Sequence, residues 1–209
     1  MFKVVFILKI LLILFFAFES YWVYVGLKAP DNTISIDFPL KHGTFVITSG
    51  GSSNMVNAHF EKEPYCYAVD IIKLNSYGRM WDKSFLKSEK LFDYPSFNDT
   101  VFAPCNGKII EISDNKEDQP IGIEGKISNY IRIEYKEKYV IMLAHLKKNS
   151  MMVKLNESVI SGQPIALIGN SGQSNDPHLH IHLVHKRLDI YMPFKFNGRF
   201  PIINDIFNN

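Results

Sequence analysis

The apolar residues of the chain form one long run at the N-terminus and short alternating segments after residue 30. Between residues 4 and 25 the run is interrupted only by Lys9, Glu19 and Ser20. A helix over these positions spans about 33 Å, and the hydrocarbon core of a bilayer is about 30 Å thick. The pattern predicts one N-terminal signal-anchor or signal-peptide helix over residues 1–28, followed by an exported domain over residues 29–209.

Two interpretations of this helix differ in whether it is cleaved after export. A cleavage site needs a small residue, any residue and another small residue, and Ala17-Phe18-Glu19 ends in a glutamate. Tyr21 and Trp22 are suited to the far membrane interface. We therefore expect a single-pass anchor in the cell membrane, with a cleaved, secreted or periplasmic protein as the alternative. In both cases the domain lies outside the cytoplasm.

After residue 30 apolar and polar residues alternate, which is typical of half-buried β-strands. No helical pattern of three turns is sustained in this part of the sequence. The pattern predicts a mostly β domain with an antiparallel sheet. Strands are predicted over residues 34–40, 44–48, 65–72, 108–112, 130–135 and 139–146.

Turn signals complete the predicted topology. Asn106-Gly107 lies between two apolar runs, which is the strongest short signal for a hairpin, so we predict one between residues 101 and 112. A second hairpin is predicted across residues 136–138, and a short strand pair between residues 153 and 168. Residues 74–100 mix aromatic and polar side chains without a period, and we interpret them as an insertion that lies over the fold.

Composition and charge narrow the possible functions. The net charge is +2 over 209 residues and no block of Lys or Arg stands out, so no nucleic-acid partner is expected. Cys66 and Cys105 lie in a part of the chain that would reach an oxidising compartment. A disulfide closing a loop of about 40 residues would stabilise the fold by about 4 kcal/mol. Their spacing is equally compatible with two separately buried thiols.

A histidine-rich segment carries the clearest chemical signal. Asn170, Ser171 and Gly172 belong to a turn that leads into His178-Leu179-His180-Ile181-His182. Side chains on a strand alternate between its two faces, so the three histidines share one face and the apolar residues the other. A rigid backbone, imidazoles at fixed spacing and an apolar backing are what a metal site requires. The segment therefore predicts a metal centre.

Other candidate ligands occur earlier in the chain. Asp70 lies in a predicted buried strand, where a carboxylate is costly unless it is paired or binds a cation, and His59 precedes it. His145 ends a later strand. Two histidines and one carboxylate form a three-ligand zinc set that leaves a position for water, and the remaining histidines could transfer protons near neutral pH.

At these residues the sequence resembles the lysostaphin-type zinc metallopeptidases, which are bacterial cell-wall endopeptidases. The matching segments occur in the family's order at residues 67–71, 103–107, 144–146, 159–165, 169–172 and 177–180. The resemblance covers roughly residues 59–185. It implies a barrel-sandwich-like β fold and hydrolysis of peptide bonds in the stems or cross-bridges of peptidoglycan.

The resemblance also implies roles for individual side chains. One Zn²⁺ per chain would be bound by His59, Asp70 and His180, and His145 and His178 would be catalytic residues that do not bind the metal. The family usually places its first histidine four residues before the aspartate. Here eleven positions separate His59 from Asp70, so a longer loop must bring His59 back to the metal. His42 is the only upstream substitute.

Two other functions remain open at this stage. A catalytically silent cell-wall-binding scaffold or amidase activator could keep the same fold, although such relatives typically lose metal ligands. A biotinyl- or lipoyl-like carrier is suggested by residues 159–165, but Lys154 does not lie at the tight turn that a carrier needs. His182 could support a ligand or contact substrate, and a histidine without a catalytic role is the simpler interpretation. His185 is expected to be exposed.

Overall fold

A long N-terminal helix precedes the β domain. The computed structural model describes residues 2–61, 66–82 and 86–209. Helix α1 spans Phe2–Gly26, and its segment Val4–Gly26, with a mean hydropathy of 2.3, is long and apolar enough to cross a membrane by length and composition. Beyond residue 30, the described residues contain one helical segment, a 3₁₀ turn at Leu91–Asp93. The predicted succession of one helix and a mostly β domain is confirmed.

The described residues form thirteen strands. In chain order these are β1 Ile34–Ile36, β2 Thr44–Ser49, β3 Val69–Leu74, β4 Thr100–Phe102, β5 Gly107–Ser113, β6 Asn129–Tyr135, β7 Tyr139–Leu146, β8 Ser158–Val159, β9 Pro164–Leu167, β10 Leu179–His185, β11 Ile190–Tyr191, β12 Phe194–Phe196 and β13 Ile206–Asn208. Over this part of the chain, the main antiparallel sheet has the order β13-β2-β3-β10-β7-β6-β5-β8, with β11 added on β10.

One face of the main sheet carries the hydrophobic core. Ile131 and Ile133 of β6, Ile141 and Leu143 of β7 and Ile181 of β10 are all fully buried. Two small strand pairs contribute to the same core: β1 lies parallel to β12, and β4 lies antiparallel to β9. Because side chains alternate along each strand, the opposite face of the sheet receives the polar residues of the same strands.

The hairpin predicted at Asn106-Gly107 is wrong. β4 pairs with β9, and β5 pairs with β6 and β8, so the strands on either side of this turn do not meet each other. A two-residue hairpin of the favoured type needs positive φ at both central residues, and neither Asn106 nor Gly107 has one. Gly107 instead allows close packing, because a Cβ there would lie 2.5 Å from the carbonyl oxygen of Glu134.

Other boundaries differ from the predicted ones in smaller ways. The strand predicted at residues 34–40 is only Ile34–Ile36, because the chain then turns to follow β4 instead of extending β1. The short pair predicted between residues 153 and 168 forms as β8 and β9, but each pairs with a different strand. The strand predicted from Tyr65 begins at Val69, and Tyr65 lies outside the described residues.

The segment predicted as an insertion contacts the loop that leads into β10. Lys87 Nζ lies 2.6 Å from Asp176 Oδ1, and Asp176 is two residues before His178 in the chain. Tyr94 is buried and donates a hydrogen bond to the carbonyl of Ser88. Residues 83–85 of this segment lie outside the described residues. Cys66 and Cys105 are both free, and burial raises the pKa of Cys105 to about 12.

Candidate metal centre

The centre of the main sheet brings distant residues into one row. In the antiparallel register, His180 of β10 lies opposite Asp70 of β3 on one side and Ala144 of β7 on the other. Alternation along β10 turns Leu179 and Ile181 into the core and leaves His180 on the polar face. The small side chain of Ala144 leaves room beside the ring of His180. The row thus places one carboxylate and one imidazole side by side on the polar face of the sheet.

His59 completes a cluster of three candidate metal ligands. His59 Nε2 lies 2.8 Å from Asp70 Oδ2, and His180 Nδ1 lies 2.9 Å from Asp70 Oδ1. One potential ligand atom from each residue lies within 4.8 Å of the others. A tetrahedral zinc ion, with bonds of about 2.0–2.1 Å, holds its ligand atoms about 3.3 Å apart. Small side-chain shifts would therefore let these three groups bind one divalent cation.

The loop that carries His59 is held by Asn57. The Asn57 side-chain oxygen accepts hydrogen bonds from the backbone N–H of His59 and from the hydroxyl of Ser49, each at 2.9 Å. Its amide nitrogen donates to the carbonyls of Gly51 and Ala68, both at 3.1 Å. Asn57 is buried, so these bonds are shielded from water. They explain how a loop longer than the family pattern returns His59 to Asp70.

His145 occupies a β-bulge at the end of β7. Asn129 pairs with Leu146 and Tyr130 with Ala144, so His145 is the extra residue on its strand. Its φ of 60° is unusual for a residue other than glycine, and such backbone strain is concentrated at functional sites. The bulge directs the ring of His145 toward the ligand cluster, with its centroid 5.7 Å from that of His180.

The Gly-Asn-Ser-Gly turn at residues 169–172 orients the His145 ring. His145 Nδ1 donates a 2.8 Å hydrogen bond to the carbonyl of Ser171, and the hydroxyl of Ser171 donates to the carbonyl of Leu146. Gly172 has a φ of 77°, and a Cβ there would lie 2.6 Å from Ser128. The turn thus needs glycine for its backbone conformation, and its serine ties the turn to the end of β7.

His178 lies beside His145 at the start of the histidine segment. Its Nδ1 donates a 2.7 Å hydrogen bond to the carbonyl of Asp176, and its Nε2 lies 3.6 Å from Asp70 Oδ1. The ring centroids of His145 and His178 are 4.7 Å apart. Because both Nδ1 atoms donate to carbonyls, each neutral ring keeps a free lone pair on Nε2. The structure therefore brings all five predicted site residues together.

Burial and mutual contacts set the charges of this cluster. Burial by itself raises the pKa of Asp70, but His178 and the hydrogen bonds from His180 and His59 hold it well below its usual range. The pKa of His145 falls to about 3, mainly because the ring is buried and next because His178 and His180 are close. Burial is also the main cause that lowers the pKa of His180. A carboxylate anion and neutral imidazoles are the forms that bind metal ions.

His182 and His185 are both buried. His182 Nδ1 lies 3.1 Å from His180 Nε2, and its ring packs against Tyr191 with centroids 4.9 Å apart. A metal-binding histidine commonly donates its other N–H to a neighbour, and His182 occupies that position toward His180. His185, expected to be exposed, is buried and accepts a hydrogen bond from the backbone of Leu188. His42 is exposed, away from the cluster.

A cavity of about 410 Å³ opens over the cluster. The strands of the sheet contribute Met142 and His180 to its lining, and the loop before β6 contributes Glu124 and Lys126. The loop that carries Glu124 and Lys126 is fixed to the Gly-Asn-Ser-Gly turn, since the N–H of Gly125 donates to the carbonyl of Gly172 at 2.7 Å. Sequence analysis did not single out this loop because residues 114–128 contain no recognisable motif. It forms part of the wall of the cavity next to the candidate ligands.

The fold and the His-Asp-His cluster together define a metallopeptidase domain. A sequence profile of Peptidase family M23 matches residues 91–191, a range that contains His145, His178 and His180. The structure is also similar to that of pseudoalterin, a novel M23 metalloprotease from the deep sea, with a TM-score of 0.50, 16% identity and coverage of 85% of this chain and 99% of that one. Residues 91–191 of the chain therefore match peptidase family M23, the lysostaphin-type metallopeptidases.

Curated relatives include two proteins of Vibrio cholerae. The chain is 29% identical to the peptidoglycan DD-endopeptidase ShyB over 133 residues, which is 51% of this chain and 31% of the relative. It is 39% identical to the peptidoglycan DD-endopeptidase ShyA over 56 residues, which is 27% of this chain and 13% of the relative. The chain therefore matches less than a third of the length of each of these relatives.

Proposed function

We propose that the protein is a zinc-dependent endopeptidase that hydrolyses peptide bonds in the stems or cross-bridges of peptidoglycan. The observation that carries this proposal is the convergence of His59, Asp70 and His180 into one cluster, beside a cavity that His59, His145 and His180 line. The first three would bind one Zn²⁺ through two nitrogens and a carboxylate, a set that leaves a position for water. Zinc bound there would supply Lewis acidity and lower the pKa of a bound water toward about 7.

The remaining two histidines would transfer the protons of the reaction. Because Nδ1 of His178 and Nδ1 of His145 each donate to a backbone carbonyl, proton exchange is left to the Nε2 atoms. We assign His178 Nε2, which faces Asp70, as the base that takes a proton from the attacking water. A ring that has gained a proton can then donate from Nε2 to the developing oxyanion or to the leaving amine.

The names of the relatives support peptidoglycan as the substrate. ShyA and ShyB are both described as peptidoglycan DD-endopeptidases, so DD cross-links are the first bonds to test. The cavity offers both a carboxylate, from Glu124, and an ammonium group, from Lys126, to a substrate that carries charges of both signs. Because every candidate ligand is present, the alternative of a silent scaffold is not favoured.

We further propose that α1 anchors the protein in the cell membrane, with residues 29–209 as one catalytic domain outside the cytoplasm. Peptidoglycan lies outside the cytoplasmic membrane, so the proposed substrate and the apolar helix both support this location. The apolar length of Val4–Gly26 supports a spanning helix, and its position near the N-terminus is equally compatible with a signal peptide. The carbonate-resistant membrane fraction of cells that express the full chain would contain the protein if the anchor is retained.

The test of the catalytic proposal uses the full chain in a mild detergent. Zinc content would be measured by atomic emission, and release of muropeptides from purified peptidoglycan by chromatography and mass spectrometry. We expect about one zinc per wild-type chain and cleavage that a chelator abolishes. His180→Ala should lose both zinc and cleavage. His145→Ala should keep zinc and lose about 10²- to 10⁴-fold in turnover, the usual range for a proton-transferring residue.

A matched control is provided by His42→Asn, which removes an exposed histidine and suits the positive φ at this position. This variant should keep wild-type zinc content and cleavage. Full cleavage by a zinc-free His180→Ala protein would contradict the proposed mechanism. A folded wild type that binds peptidoglycan without zinc and without cleavage would favour the scaffold function instead.

A further inference from the structure

The C-terminal end of α1 is bonded to the loop of residues 49–59, which carries His59. The hydroxyl of Ser53 donates to the carbonyl of Trp22 at 2.9 Å. The backbone N–H of Ser52 donates to the carbonyl of Gly26 at 2.9 Å, and the hydroxyl of Ser52 donates to the carbonyl of Lys28 at 2.8 Å. The last carbonyls of a helix have no partners within it. Here the loop supplies a backbone donor to the carbonyl of Gly26, the last residue of α1.

The contact between helix and loop is too close for larger residues at two positions. A Cβ at Gly26 would lie 2.2 Å from Ser53 Oγ and 2.5 Å from Val56 Cγ2, and Val56 is buried. A Cβ at Gly51 would lie 2.8 Å from the carbonyl oxygen of Gly26. Each side of the contact therefore presents a glycine to the other. A methyl group at Gly26 must move the loop or break the bond from Ser53 to the helix.

The same loop residues are bonded directly to the residue that holds His59. The carbonyl of Ser53 accepts the backbone N–H of Asn57 at 3.0 Å, and the carbonyl of Gly51 accepts the Asn57 side chain at 3.1 Å. Asn57 in turn accepts the backbone N–H of His59 at 2.9 Å. A short, continuous path of hydrogen bonds therefore runs from the end of α1 to the candidate metal ligand.

We propose that the C-terminal end of α1 positions the metal centre, with Ser53 and Gly26 as positioning residues that act on His59 through Asn57. The inference rests on the proposed metal-binding role of His59. The helix end holds the loop in the conformation in which His59 reaches Asp70. Loss of this contact lets the loop adopt other conformations. The fraction of molecules in which His59 can bind the metal then falls, and the apparent metal affinity falls by the same factor.

Metal binding by the full chain in detergent tests this proposal. The dissociation constants for Zn²⁺ and Co²⁺ would be measured by competition with a chromophoric chelator, together with the visible spectrum of the Co²⁺ form. Gly26→Ala and Ser53→Ala should each weaken the affinity by about three- to tenfold, the range expected from the loss of one hydrogen bond. Hydrogen exchange of the His59 amide should accelerate by a similar factor in both variants. Ser158→Ala, which removes an exposed serine far from the loop, is the control and should match the wild type.

The outcomes separate this inference from the proposed function. Folded Gly26→Ala and Ser53→Ala proteins with wild-type affinities within twofold and unchanged exchange at His59 would overturn it. If the wild type binds no metal, the proposed function fails, and faster exchange at the His59 amide in the variants would still support the link between helix and loop. If Gly26→Ala does not fold, the metal affinity and His59 exchange of Ser53→Ala decide whether the inference holds, because this variant loses only a single hydroxyl group.

Discussion

The buried ring of His145 makes the stability of the metal-free protein depend on pH. Its pKa in the folded protein is about 3, because the ring is buried and lies next to His178 and His180, against 6.5 in an unfolded chain. Between these values the unfolded chain binds more protons than the folded one. The contribution of the neutral His145 ring to the free energy of unfolding is therefore fully present above about pH 6.5. It is lost as the pH falls toward about 3.

The expected size follows from these two pKa values. Near pH 5 the unfolded His145 carries about one proton and the folded His145 almost none, so the free energy of unfolding falls by about 1.3 kcal/mol per pH unit. Between pH 7 and pH 5 the loss attributable to this ring is about 2 kcal/mol. His180 and His182, whose pKa values are also lowered mainly by burial, act in the same direction. The share of His145 is obtained by comparison with His145→Asn, which has no titrating group.

Urea unfolding of the full chain in detergent with a chelator, followed by tryptophan fluorescence, measures this effect. Wild type and His145→Asn would be compared at pH 7, 6 and 5. We expect the variant to lose about 2 kcal/mol less than the wild type over this interval. Parallel pH dependences, within about 0.5 kcal/mol, would show that the folded ring is not held neutral and would refute the reasoning about His145.

Two further predictions concern a turn and the support of a ligand. Glu137, between β6 and β7, has a φ of 56°, a conformation that glycine adopts more easily than other residues. Glu137→Gly should therefore raise the free energy of unfolding by about 1 kcal/mol in urea titrations. An unchanged or lower urea midpoint would contradict this prediction. His182→Ala removes the group that faces His180 Nε2 and should weaken zinc affinity about 10- to 100-fold in chelator competition. His185→Ala, farther along the same strand, should keep the affinity, and equal weakening in both variants would indicate general damage to β10.

The sequence was most informative where local pattern and global fold agree. Alternation over residues 139–146 predicts β7 with its observed bounds, and the histidine segment predicts which face of β10 carries the imidazoles. The proximity of Asp70 to His180 came from the family resemblance, since the register that pairs them joins strands 110 residues apart. Local patterns carry no information about such pairing, which depends on the whole sheet.

The errors have a common physical origin in contacts between distant segments. Asn106-Gly107 has the local signature of a hairpin, but Gly107 is required for close packing on β6. The bulge at His145 depends on the register between β6 and β7, and the carbonyl of Ser171 that orients its ring is a backbone atom. Neither could be predicted from the sequence. The strand predicted at residues 34–40 is shorter for the same reason: β1 pairs with β12 only as far as Ile36, and the next residues bond to residues 102–104 around the end of β4.

The central register has a consequence for the biogenesis of the protein. Asp70 and His180 become neighbours only after β3 and β10 have paired across 110 residues of chain. A polypeptide threaded through an export channel in extended form holds these side chains far apart, so it has no high-affinity place for a cation. If the domain is exported in this form and binds metal as proposed, loading with metal would follow translocation and closure of the sheet, and the immature chain would be inert on the side of the membrane where it is made.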